Sequence, residues 1–130
     1  MSLRALRLPA TTLVLSLCAL AARAEIIDLQ FDAQGRFERE VSVAPGKFVE
    51  LCGKLPGGAK VQWRYEGGAP LDFNIHYHVG KDVKFPAKAA AQATGHGVLD
   101  ADSTQDYCWM WTNKDKGGAP VALKLALARS

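Results

Sequence analysis

The chain has 130 residues, 48% hydrophobic and 22% charged, with a formal net charge of +3. Arg4, Arg7 and Arg23 supply that excess: without the first 24 residues, 13 of the 16 basic residues remain to balance 13 acidic ones. A neutral body gives no electrostatic argument for binding nucleic acid or an anionic membrane surface.

The amino terminus reads as an export signal. Arg4 and Arg7 form a positive start, Thr12 to Leu20 is a short apolar core, and Ala22-Arg23-Ala24 is a small-residue cleavage site. Residues 1–24 are therefore expected to be a signal peptide cut before Glu25. The apolar core is too short for a bilayer span, which needs about 20 residues. A lipoprotein alternative would use Cys18, but Leu17 before it is larger than that cleavage favours. The remaining residues 25–130 are expected to make one domain with no membrane span and a periplasmic or secreted location.

After cleavage two cysteines remain, Cys52 and Cys108. A pair of cysteines in an oxidising compartment is expected to form a disulfide. Closing a loop of more than 50 residues would stabilise by roughly 3–4 kcal/mol in the chain-entropy model. The alternative is a pair of thiolate metal ligands or a redox site. No Cys-x-x-Cys is present, and no histidine follows Cys108, which argues against a blue-copper centre.

From Glu25 onward the chain reads as strands. Glu25 to Phe31 is the first, and Asp32 to Gly35 is a turn. Arg36 to Val43 alternates, Pro45-Gly46 punctuates, and Lys47 to Cys52 is a further strand. The segment from Lys54 to Lys60 turns on Pro56-Gly57-Gly58. Val61, Trp63 and Tyr65 alternate with polar residues, then Gly67 to Pro70 makes another turn. From Leu71 to Val79 the pattern is clearest: Leu71, Phe73, Ile75, Tyr77 and Val79 on one face, Asp72, Asn74, His76 and His78 on the other. Val83 and Phe85 suggest a short edge strand ending at Pro86. The alanine-rich run Ala87 to Ala93 suggests a helical turn or loop, broken by Gly95-His96-Gly97. Val98 and Leu99 resume an extended segment. Gln105 to Thr112 and the run from Val121 to Leu127 complete the set. Seven or eight short strands with Gly/Pro turns argue a single antiparallel β-sandwich, all-β, of GOLD-like or jelly-roll-like type.

The order of these residues carries a resemblance. A strand bearing Cys52, the strand Leu71-Asp72-Phe73-Asn74-Ile75, the run Tyr107-Cys108-Trp109 leading to Asn113, and a final apolar strand are similar to the GOLD domain. That β-sandwich occurs in luminal cargo receptors of the early secretory pathway. The resemblance covers roughly residues 47–127. It implies a sandwich with a disulfide between Cys52 and Cys108, and a binding role.

Chemistry is concentrated in two places. His76 and His78, two apart on a strand, point to one side and can reach one metal ion; Asn74 and Asp72 continue that side. Trp109-Met110-Trp111 sets a thioether between two indoles, and a His and Met set suits copper. The histidines read either as a solvated polar face, as holders of a flanking loop, or as ligands of copper or zinc completed by Met110 or His96. If Cys108 faces the core to meet Cys52 across two sheets, Met110 shares its side. Trp109 and Trp111 then form an exposed rim that, with Asn74, suggests a binding surface. No Ser-His-acid set is evident, so the expected function is a non-enzymatic binding module for an unknown protein or small ligand. A copper or zinc carrier and a docking subunit of an envelope complex are the alternatives.

Overall fold

The computed structural model describes residues 24–130; the expected signal segment lies outside them but for Ala24. Among these residues the regular structure is all strand: β1 Glu25–Asp28, β2 Arg36–Val43, β3 Phe48–Leu55, β4 Lys60–Val79, β5 Asp82–Asp100, β6 Gln105–Thr112 and β7 Val121–Arg129. Among the described residues no helix is long and apolar enough to cross a membrane.

The strands make one sheet in the order β1-β3-β6-β4-β7-β2, with β5 paired to β4. The 20-residue β4 serves two neighbours in turn. Its first half, Val61 to Gly67, pairs with β7, and its second half, Asp72 to His76, pairs with β6. Between them the register with β5 shifts from Glu66 to Leu71. The sheet folds over at this point into two layers, β1-β3-β6 with the second half of β4 and β2-β7 with the first half. Gly67-Gly68-Ala69-Pro70, expected as a turn, is instead the bend within a continuing strand. Gly67 permits it: a β-carbon there would stand 3.0 Å from the Ala69 carbonyl oxygen and 3.1 Å from that of Ala93.

The core lies between the layers. Leu51, Trp109, Trp111, Phe73 and Ile75 come from one, Tyr65, Leu123, Leu125 and Leu127 from the other. Tyr65 meets Trp111 edge-on across the gap, ring centroids 5.7 Å apart. Alternation along β7 (buried Val121, Leu123, Leu125, Leu127) is the expected half-buried pattern. Each such side chain fully removed from water contributes about 1.5–3 kcal/mol.

β5 departs most from its sequence. The alanine run Ala87 to Ala93 and the Gly95-His96-Gly97 break both lie inside one strand, because β4 runs alongside and pairs with it on either side of three register shifts. Tertiary pairing overrides the helical preference of alanine. The two glycines make room for rings: a β-carbon at Gly95 would stand 2.5 Å from Tyr65, and one at Gly97 2.6 Å from Trp63. The only non-glycine residue with positive φ among those described is Ala91, at 51°, where its N–H donates to Asp72 Oδ1 at 2.9 Å. The chain folds the β4–β5 hairpin over two residues, Gly80 and Lys81, with Gly80 at φ 60°. Glycine leads such two-residue turns because it takes positive φ freely.

Candidate functional site

The disulfide forms as expected between Cys52 and Cys108, but not between two sheets. The two residues face each other on the neighbouring strands β3 and β6, within one layer. They lie on the outer side of that layer, and both are half-buried. The parity of β6 is therefore the reverse of the one expected. Tyr107, Trp109 and Trp111 point into the core, with Trp109 fully buried, while Cys108 and Met110 point outward. An indole removes far more apolar area from water than half a disulfide, so the aromatic set takes the inside. Trp109 and Trp111 are not an exposed rim. Val79, placed on the buried side by alternation, runs past the core and is exposed.

Register places the outer side chains in rows. Ile26, Glu50, Met110, Asn74 and Lys88 lie side by side across five strands; Asp28, Cys52, Cys108 and His76 form the next row. His76 is the one buried histidine here, 7% exposed. Its Nε2 lies 2.9 Å from Glu50 Oε1, and its Nδ1 lies 2.8 Å from Asn74 Oδ1. Phe85 covers it, ring centroid 6.1 Å away, and Lys88 sits over Phe85 at 4.6 Å. His78 is exposed, its ring 5.5 Å from that of His76.

Burial holds the His76 pKa below its ordinary value, the Glu50 carboxylate pulls it back up, and His78 pushes it down further; the net direction is down. A neutral ring gives its Nε2–H to Glu50 and accepts at Nδ1 from the amide N–H of Asn74. A ring with hydrogen on both nitrogens meets the Asn74 oxygen instead, the amide turning over. In either state both ring nitrogens are engaged. Among the described residues no serine, threonine or thiol is hydrogen-bonded to His76.

Glu50, His76 and Cys108 each offer a ligand atom, all within 4.8 Å of one another. With the sulfur tied up in a disulfide the set lacks its thiolate, the species that binds metal. Met110 lies between Glu50 and Asn74 on the same side, whereas His96 pairs with Arg64 on the other half of the hairpin, apart from these residues. Sequence patterning did not single out Glu50. A signal was available: if Cys52 faces Cys108 on antiparallel strands, Glu50 must face Met110.

A groove of about 550 Å³ lies elsewhere, on the outer side of the β2-β7 layer between Arg36, Glu38, Arg64 and His96 over Ala126 and Ala128. It is open and mixed in charge. Three of the exposed large apolar side chains, Ile26, Val83 and Phe85, lie on the His76 side, and Val79 stands at the hairpin tip with the opposite parity.

Comparison with known proteins shows the fold and not the family. No family model and no curated protein matches the chain, so the GOLD resemblance gains no support there. Among solved structures, the periplasmic inhibitor of g-type lysozyme PliG from Aeromonas hydrophila superposes with a TM-score of 0.64 at 15% identity, covering 83% of this chain and 98% of its own. PliG from Salmonella Typhimurium gives 0.57 at 10%, covering 82% and 99%. The pre-peptidase C-terminal domain of a Bacillus anthracis collagenase gives 0.59 at 12%, covering 80% and 95%. One β-rich architecture thus serves an inhibitor and an enzyme's accessory domain, and function has to be argued from the surface.

Proposed function

We propose that this protein is an exported, non-enzymatic module that binds another protein in the periplasm through the tip of the β4–β5 hairpin and the adjoining outer face. One observation carries this reading: every residue from His78 to Pro86 is exposed, and three of them, Val79, Val83 and Phe85, are large and apolar. Apolar side chains on a tight two-residue turn lose little freedom on docking, so their burial is available to affinity. Lys81, Lys84 and Lys88 against a single Asp82 make the tip basic, which suits an acidic partner.

Glycan-cleaving enzymes carry paired carboxylates in an open cleft. That chemistry complements a basic, apolar-tipped hairpin, and the fold is one that periplasmic lysozyme inhibitors also use. A lysozyme-type hydrolase is therefore the partner proposed. The signal-like amino terminus and the disulfide support the compartment, and the GOLD resemblance is consistent with a binding role. Copper binding through His76, His78 and Met110 is the weaker reading, since register sets Met110 beside Asn74, four residues along β4 from the exposed His78, so the three side chains do not converge.

The test uses the exported, oxidised protein and lysozymes of the g and other types, with binding followed by calorimetry and activity by lysis of cell walls. Tight one-to-one binding with loss of lysis is expected, weakened tenfold or more by Phe85→Ala or Lys84→Glu on the scale of a central contact, about 1.4 kcal/mol or more. No binding to any lysozyme sinks the hydrolase partner. Binding that survives both substitutions removes the hairpin from the interface.

A further inference from the structure

We infer that reductive opening of the Cys52–Cys108 disulfide creates a zinc site on the outer face, held by the two thiolates, the His76 imidazole and the Glu50 carboxylate. These four side chains come from three adjacent strands, β3, β6 and β4, whose pairing fixes their separation. The donor atoms of Glu50, His76 and Cys108 already lie within 4.8 Å of one another, and Cys52 adjoins Cys108. On one tetrahedral zinc, a thiolate sulfur and an imidazole nitrogen stand about 3.5 Å apart, and two sulfurs about 3.8 Å. Small side-chain rotations close that difference. Two sulfurs, one nitrogen and one carboxylate oxygen are a donor set that zinc accepts.

The surroundings of His76 favour a ligand. Nε2 is aimed at the Glu50 oxygen, so the ion would replace the proton the two now share. Nδ1 faces Asn74 Oδ1 at 2.8 Å, an acceptor for the remaining ring N–H. An oxygen acceptor behind the ring is what fixes a metal-bound histidine in its tautomer and orientation. Phe85 limits water on one side.

The chemistry balances with a dithiol as reductant. One of its thiolates attacks a sulfur of the Cys52–Cys108 bond, which breaks; its second thiol closes the reductant's own disulfide. The protein's cysteines emerge as two thiols carrying the reductant's two hydrogens. Zinc then displaces those two protons as it takes the thiolates.

The experiment titrates cobalt(II), then competing zinc, into the full exported protein before and after reduction by a phosphine, with circular dichroism recorded alongside. The reduced protein is expected to show thiolate-to-cobalt absorption saturating at one equivalent and lost to zinc, and the oxidised protein none. His76→Ala and Glu50→Gln, which leave the disulfide intact, should each weaken binding about tenfold or more, and Asn74→Ala about 10-fold to 100-fold through its hold on the ring. Absence of the band in reduced, folded protein overturns the site. So does a band undiminished in the His76→Ala/Glu50→Gln double variant, and so does loss of the strand signal on reduction whether or not zinc is present. Lysozyme binding by the oxidised protein reads the other proposal separately, because Lys84 and Phe85 are not ligands.

Discussion

Trp109 stands directly opposite Ile75 on the β4–β6 ladder, and neither exposes more than 1% of its surface. Two strands beyond the bend, the same core receives Leu125 and Leu127. The pair predicts that Trp109→Ala costs about 3–5 kcal/mol, the usual range for emptying an aromatic core site. Trp109→Phe should cost less than half as much, since the indole Nε1 is buried with no protein partner and its removal relieves an unpaired donor. Urea unfolding of both variants decides this. Near-wild-type stability of the alanine variant would return Trp109 to the surface.

Asn113 closes the end of β6 from inside. Its Nδ2 donates to the Val43 carbonyl at 3.1 Å and to that of Ala119 at 3.2 Å, and its Oδ1 accepts from the Asp115 N–H. Asn113→Ala should destabilise by about 1–3 kcal/mol, the cost of leaving buried carbonyls unpaired. Asn113→Asp should cost more, because a carboxylate brings an acceptor where two donors are needed. Equal midpoints for the two variants in denaturant would refute the hydrogen-bond account.

His76 makes stability depend on pH in one direction. Its folded pKa lies below the unfolded value of about 6.5, so below that pH the unfolded chain binds the extra proton first. The contribution is complete above pH about 6.5 and is lost as pH falls from there towards the folded pKa. Stability measured at pH 7.5 and 5.5 should fall on acidification in the wild type and fall less in His76→Gln. A proton NMR titration of the His76 ring with a midpoint above 6.5 would reverse the sign.

The disulfide joins residues 56 apart in sequence. Its loss is expected to lower stability by about 4 kcal/mol in the chain-entropy model. Domains of this size have about 5–15 kcal/mol to lose, so the reduced protein should remain folded, with a lower urea midpoint. Identical midpoints with and without reductant would show that the bond adds nothing to the native state.

Much of the layer holding the candidate site was legible. Leu71, Phe73 and Ile75 inside against Asp72, Asn74 and His76 outside follows from period-two alternation on a strand with one wet side. The cysteine pairing followed from compartment and number. The orientation of β6 did not, because either parity of Tyr107 to Thr112 offers hydrophobic residues; choosing required weighing two indoles against a disulfide and a methionine. Ala87 to Ala93 was misread because alanine's local preference is helical and its partner, β4, is ten or more residues away. The bend at Gly67 to Pro70 looks locally like a turn, and only the neighbours on either side of it reveal a strand passing from one layer to the next. Glu50 became meaningful only through register.

β5 runs for 19 residues with β4 as its one partner. A border of that length offers a row of unpaired backbone groups to another chain. Here Pro86 withholds an N–H, Ala91 kinks the backbone with its positive φ, and Lys81, Lys84 and Lys88 repel a second copy. The stretch that blunts this border is thus the same stretch that exposes Val83 and Phe85. Any change that smooths or neutralises it trades selective contact for self-adhesion.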